Sequence, residues 1–284
     1  MKLTVATCQF PVTRDIQKNR DWILRQMKQA KGCGADVAHF SETALSGYAG
    51  SSFKTFEGYD WDALRARALE VMAMARSLKL WVVLGSSHRL TGRHAPHNSL
   101  YVIDDRGRLV SRYDKLFCTG GDLKHYSPGS KFVTFRIKGV RCGLLICYDV
   151  RFPELYRQYL RRGVQVMFHS FHNAGLKRRA FLNHNIWGTI MPPTLQAHAA
   201  CNHMWVSANN SSHAESCWGS LFIRPDGVVL RQLPRDRAGV LISAADTRLK
   251  LYDAPRPWRK RAMNGIFHSG TQVRDPRSDS RRTL

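Results

Sequence analysis

The sequence has no apolar run approaching the roughly 20 residues of a membrane span. That absence argues against a helical membrane protein. Its first stretch, Met1 to Pro11, is too short in its apolar part for a secretory h-region and is read as a first strand. It also lacks a C-x-x-C pair. The seven cysteines are odd in number and scattered, which argues against a disulfide framework and for reduced thiols in the cytoplasm. No Pro/Gly/Ser-rich linker and no repeat of 20–50 residues divides the chain. Acidic residues are scarce, 21 against 44 Lys and Arg, giving a formal net charge of +23. Such charge favours anionic partners. No recognised nucleic-acid module accompanies it, so the expectation is at most weak, sequence-independent polyanion binding and a solvated basic surface.

What is present is a rhythm of short apolar strands and amphipathic helices. Leu3–Gln9 reads as a strand, and Asp15 caps a helix to about Lys31 with Trp22, Ile23, Met27 and Ala30 at helical spacing. A buried strand over Val37–Phe40, a helix from Trp61 to Leu78 and a strand over Trp81–Leu84 complete a strand-helix alternation, the signature of an α/β protein. Hairpins follow around Asp104-Asp105-Arg106-Gly107 and Gly139. Then come a helix from Pro153, a strand over Val164–Phe168, a helical region interrupted at Pro192-Pro193, and a strand over Met204–Ala208. A last hairpin turns at Arg224-Pro225-Asp226-Gly227, and Val240–Ser243 is the final strand. One domain over 1–255 with a basic arm over 256–284, disordered from about Arg274 or packed on a neighbouring subunit, is the expected organisation.

The most informative stretch is Gly143-Leu144-Leu145-Ile146-Cys147-Tyr148-Asp149-Val150-Arg151-Phe152-Pro153-Glu154. An apolar strand stops at a cysteine, and Phe-Pro-Glu opens a helix, with Pro suited to its first turn and the acid to its N-terminal dipole. Cys147 therefore sits on a strand-to-helix turn with its sulfur near backbone N–H donors, the geometry a nucleophile needs. Glu42 and Lys115 share its placement, directly after a strand, and strand ends line the crevice of an open α/β sheet. The three types make an acyl-transfer machine: Glu42 takes the thiol proton, Cys147 attacks an amide or nitrile carbon, and Lys115 with the Tyr148 N–H stabilises the oxyanion. His169–Asn173, including His172 and Asn173, and Asn209-Asn210-Ser211 follow strands and are read as pocket walls; Tyr48 lies near Glu42. His169, His172, His184, His198 and His203 fit no standard zinc spacing, so no metal and no cofactor is expected. Phe171, Trp187, Trp205 and Trp218 are expected in the core.

These residues carry a resemblance to the nitrilase superfamily of carbon–nitrogen hydrolases, nearest to the Nit and ω-amidase branch. The family's Glu-Lys-Cys triad falls on Glu42 in Ser-Glu-Thr-Ala-Leu-Ser-Gly-Tyr, Lys115 in Tyr-Asp-Lys-Leu-Phe and Cys147 in Cys-Tyr-Asp-Val-Arg-Phe-Pro-Glu. The resemblance implies a four-layer αββα sandwich that pairs into homodimers or larger assemblies, without cofactor or metal, acting with water on a small amide. An N-carbamoyl-amine hydrolase, a formamidase or a nitrilase on the same triad are alternatives, as is a catalytically silent anion-binding protein. Three departures bear on the substrate. Asp122 stands where many members carry a second glutamate, and is read as a fourth catalytic residue. His198-Ala199-Ala200-Cys201-Asn202 replaces an Arg-Ala-x-Glu-Asn-like run, and His169-Ser170-Phe171-His172-Asn173 differs from the Nit pattern.

Overall fold

Alternation along the first strand fixes the layering. In β1 (Lys2–Gln9), Leu3 and Val5 join one buried cluster while Ala6 and Cys8 join another, because successive side chains leave a strand on opposite faces. The second cluster is closed by Ile23, Met27 and Ala30 of α1 (Ile16–Gly32) and by Leu64, Val71 and Ala75 of α2 (Trp61–Leu78). Asp15 caps α1 as expected, its carboxylate accepting from the Lys18 N–H at 3.0 Å. The first face packs against a second sheet. The protein, seen in a computed structural model that describes residues 1–173 and 186–282, is thus an α/β sandwich of two sheets between helices.

The two six-stranded sheets follow one plan. With β2 (Val37–Phe40), β3 (Trp81–His88), β4 (His97–Ile103), β5 (Leu109–Asp114) and β12 (Gly239–Asp246), the first runs β12-β1-β2-β3-β4-β5. With β6 (Thr134–Ile137), β7 (Val140–Ile146), β8 (Val166–Ser170), β9 (Trp205–Asn209), β10 (Leu221–Ile223) and β11 (Val229–Gln232), the second runs β11-β10-β9-β8-β7-β6. Each has three parallel strands at its centre and antiparallel strands on both flanks. α3 (Pro153–Arg161) and α4 (Ile186–Asn202) contribute Leu155, Tyr156, Tyr159, Met191, Leu195 and Ala199 to the core around the second sheet.

Two sequence expectations are corrected here. α4 runs through Pro192 and Pro193 rather than breaking there, with the Thr194 hydroxyl donating to the Ile190 carbonyl at 2.7 Å. Its buried face, Met191, Leu195 and Ala199, outweighs the local cost of proline, about 3 kcal/mol in a helix interior. Second, His169 lies within β8, which ends at Ser170 and not Phe168. The described residues divide into two compact units, Met1–Leu251 and Tyr252–Leu284. The second carries two short helices, α5 (Arg259–Met263) and α6 (Pro276–Asp279). The latter is capped by Asp275, whose carboxylate accepts from the Arg277 N–H.

A buried polar seam locks the sheets together. The His39 ring on β2 bonds Ser207 through Nδ1 at 2.9 Å and Ser170 through Nε2 at 2.8 Å, and Thr7 Oγ1 meets Ser207 Oγ at 2.8 Å. Burial pushes the His39 pKa down to about 3, from 6.5. Because the folded value lies below the unfolded one, this contribution is complete above pH 6.5 and drains as pH falls toward 3. One such proton changes stability by about 1.4 kcal/mol per pH unit in that window. Asp149, raised to about 6, works in the opposite direction, since its folded form gains a proton as pH falls below 6. His39→Gln is therefore expected to be less stable than the parent at pH 7, with a stability-versus-pH slope between pH 6 and 4 shallower by about one proton. Chemical denaturation at several pH values checks this; parallel curves for parent and variant would refute it.

Candidate active site

Three of the candidate side chains, Glu42, Lys115 and Cys147, follow closely on strand ends. β2 ends at Phe40, and Glu42 follows in a tight loop in which Thr43 has φ 50°. Gly85 of β3 lets that loop close: a Cβ there would lie 2.0 Å from the Ser41 carbonyl and 2.7 Å from the Thr43 N. β5 ends at Asp114 and presents Lys115, whose own N–H donates to Asn98 O at 2.9 Å. β7 ends at Ile146, and Cys147 begins a 3-10 turn over Cys147–Arg151 with φ 43°. A positive φ at a non-glycine residue is a strained elbow that persists only where its surroundings impose it.

What imposes it is Asp149, which sequence reasoning left unassigned. Its fully buried carboxylate accepts from Ile146 N at 2.9 Å, from the Tyr113 hydroxyl at 2.8 Å and from Phe117 N at 2.9 Å. One side chain thus ties the elbow to the end of β5 and to the loop just beyond Lys115.

The Lys115 ammonium, 1% exposed, lies between two carboxylates: Glu42 Oε1 at 2.9 Å and Asp122 Oδ2 at 2.8 Å. Asn98 Nδ2 donates to the same Glu42 oxygen at 2.7 Å. Asp122 also accepts from Thr119 N at 2.9 Å and from the Tyr48 hydroxyl. The two carboxylates beside this one lysine shift in opposite directions. Burial raises the Glu42 pKa, and Lys115 only partly offsets this; its Oε2 has no hydrogen-bond partner among the described residues. Burial also acts upward on Asp122, but Lys115, Tyr48 and Thr119 together hold it below the usual carboxylate value. For Lys115, burial would lower the pKa, yet Glu42, Tyr48, Cys147 and Asp122 raise it well above normal. The resting charges are therefore an Asp122–Lys115 ion pair beside a Glu42 that is the more proton-attracting of the two acids.

Cys147 sits within reach of these charges. Burial first, then the Glu42 carboxylate, push its thiol well above the usual range, while Lys115 and the His172 backbone N–H pull it down. Asn173 Nδ2 donates toward its Sγ at 3.6 Å. Tyr48 and His172 stack, ring centroids 5.2 Å apart and 10° from parallel, and burial holds His172 neutral with its pKa down to about 3.

Glu42, Lys115, Asp122, Cys147, Tyr48, His172 and Asn173 are thus brought together, and Tyr148 follows Cys147 in the elbow with its ring against Phe152. Asn209 is placed elsewhere. It is fully buried at the end of β9, and its amide donates to the backbone carbonyls of Cys8 and His39 in the opposite sheet. Among the described residues no group of three His, Cys, Asp or Glu is arranged to hold a metal ion. His169 Nδ1 pairs with the Tyr156 hydroxyl at 2.7 Å and His198 Nε2 with Val150 O at 2.9 Å. His184 lies outside the described residues. No described helix is long and apolar enough to cross a membrane.

A model of the carbon-nitrogen hydrolase family matches residues 4–252. The chain belongs to that family. It is therefore an enzyme of the carbon–nitrogen hydrolase class, as its strand-end triad suggested. Among its relatives are a Pseudomonas sp. (R)-stereoselective amidase, 28% identical over 88% of this chain and 86% of the relative, and a 2-oxoglutaramate amidase of Bacillus subtilis, 29% identical over 83% and 88%. In fold it resembles an amidase of the nitrilase superfamily from Nesterenkonia AN1, with TM-score 0.77 and 21% identity over 93% of this chain and 96% of that one. A mutant of that amidase, at TM-score 0.74 and 22% identity over 86% and 90%, shows covalent addition of the acetamide moiety of fluoroacetamide at its active-site cysteine.

Proposed function

We propose that this carbon–nitrogen hydrolase cleaves the C–N bond of a small linear amide through a thioester on Cys147. The observation that carries the reading is the buried Lys115 ammonium bonded at once to Glu42 and Asp122 beside a cysteine on a strained elbow. The Cys147 thiol is protonated at rest, because burial and the Glu42 charge both oppose the thiolate. Attack on the amide carbon is therefore concerted with proton transfer from sulfur to Glu42. The developing oxyanion is met in this reading by the Lys115 ammonium and the Tyr148 N–H, since such a charge needs preorganised donors. Glu42 returns the proton to the departing nitrogen, ammonia leaves, and the carbonyl carbon remains on sulfur. Water then gives a proton to Glu42 and its hydroxyl to the thioester, and the thiol is restored as the carboxylic acid departs. The two amidases named above support an amide over other C–N substrates. Tyr48, His172 and Asn173 serve in this reading as walls that orient the amide.

The test is a screen for ammonia release from short aliphatic amides and ω-amides of dicarboxylic acids, with N-carbamoyl amines, formamide and nitriles alongside. Turnover is expected to be confined to, or at least ten times greater for, the amides. Fluoroacetamide should add one acetamide moiety to the peptide bearing Cys147. Turnover of nitriles or carbamoyl compounds alone, or an adduct found only on other cysteines, would reject the reading.

A further inference from the structure

The thiol of Cys147 faces an unfavourable balance: burial and Glu42 raise its pKa, and the cation that would lower it is already paired with two carboxylates. Something else must favour sulfur as it gains charge. We propose that Asn173 is a further catalytic residue, a neutral donor that holds the Cys147 sulfur during attack and departure, and that the Trp218 indole sets its orientation. This deepens the reading of Cys147 as nucleophile and rests on it.

The Asn173 side chain is 8% exposed, and its Nδ2 lies 3.6 Å from Cys147 Sγ. Which end of the amide meets the sulfur is decided on its other side. Trp218 Nε1 lies 3.1 Å from Asn173 Oδ1, and an indole N–H can only donate, so the oxygen must face tryptophan and the NH₂ must face cysteine. The backbone is fixed as firmly. Asn173 N donates to Asn210 Oδ1 at 2.8 Å, and Cys217 N donates to Asn173 O at 2.9 Å. Asn210 Nδ2 donates to Asn173 O at 3.3 Å and to Trp218 O at 2.8 Å, so one side chain just beyond β9 positions both partners. The Trp218 ring is held edge-to-face on Phe171, centroids 4.9 Å apart. The preceding His172 N–H acts on the Cys147 thiol in the same direction, lowering its pKa. Asn173 Nδ2, with that N–H beside it in sequence, forms a cradle of neutral donors that do not ionise near neutral pH. It therefore favours thiolate without competing with Glu42 for the thiol proton. A hydrogen bond to a charged acceptor is stronger than one to a neutral acceptor, so the cradle tightens as sulfur becomes anionic.

The experiment follows the second-order rate of Cys147 alkylation by iodoacetamide against pH, with the modified peptide identified by mass spectrometry. For Asn173→Ala the profile should move up by about one pH unit, so that alkylation at neutral pH falls about tenfold. Asn173→Asp, nearly the same shape but an acceptor beside sulfur, should move it further. Trp218→Phe, which keeps the ring and loses the N–H, should fall between parent and alanine because the amide is no longer held one way round. Matched melting temperatures confirm that each variant is folded. Unmoved alkylation profiles in folded Asn173→Ala and Asn173→Asp would overturn the proposal, as would Trp218→Phe indistinguishable from parent beside an Asn173→Ala that shifts, since the orienting role would then be absent. Alkylation is read at Cys147 whether or not an amide is turned over. Failure of the amidase reading would appear separately, as turnover surviving in Cys147→Ala.

Discussion

Replacing Cys147 with alanine is expected to lower amide turnover by on the order of 10⁴-fold or more, because removing a covalent nucleophile removes the step itself. The fold should survive. Cys147 lies at the mouth of its strand rather than inside the sheet, and the elbow is held by Asp149 through main-chain and tyrosine donors that the substitution leaves alone. Cys142, five residues earlier on β7, is the internal control. It is fully buried, its sulfur lies 3.6 Å from Val140 O, and burial keeps its thiol well above the reactive range. Cys142→Ala should keep near-parental kcat and lose a little stability from the small void it leaves. Steady-state ammonia release with melting temperatures on both variants decides the matter. An inactive Cys142→Ala with an active Cys147→Ala would reverse the assignment.

The residues that sequence reading found share a local signature, and those it missed do not. Glu42, Lys115 and Cys147 each follow an apolar run, and a run's end can be read from a window of ten residues. Asn98 bonds Glu42 across 56 positions, and no local pattern distinguishes it from any other polar residue opening a strand. Asp149 stands in plain view two residues after Cys147, yet its role depends on Tyr113 and Phe117, which only the sheet and its loops bring to it. Trp218 was legible as a core aromatic, but the use of its N–H was not. The same rule that singled out Glu42, Lys115 and Cys147 misplaced Asn209. It too ends a strand, but its side chain points between the sheets, toward Cys8 and His39, instead of out into the crevice. Direction at a strand end depends on the pleat and on what packs above it. The pairing of β12 with β1, from Lys2↔Asp246 to Gln9↔Gly239, was likewise invisible, because nothing local in either strand names a partner so distant in sequence.

Asp122 brings local and distant reasoning together, and its substitution carries the second large effect. Asp is a common turn residue, and here Asp122 does take part in a turn, its N–H donating to Thr119 Oγ1 at 3.0 Å. Its carboxylate, however, is buried against Lys115 Nζ at 2.8 Å and receives the Tyr48 hydroxyl. Asp122→Asn keeps the shape and removes the charge. Lys115 is then left with Glu42 as its only anionic partner, and the base becomes tied to the cation that should meet the oxyanion. kcat is expected to fall by roughly 10²-fold, the usual worth of a positioned charge or proton acceptor. Asp122→Glu keeps the charge and should lose less. The pH profile adds a readout that a turn former would not move. The Asp122 charge raises the Glu42 pKa, so removing it should lower that pKa. Activity requires ionised Glu42 and therefore rises with pH through this value, and the acid limb of kcat/KM should move to lower pH in Asp122→Asn. Near-normal kcat in that variant, or a loss that tracks a lower melting temperature with the acid limb unmoved, would reduce Asp122 to its turn and leave Glu42 and Lys115 to set the charge of the site by themselves.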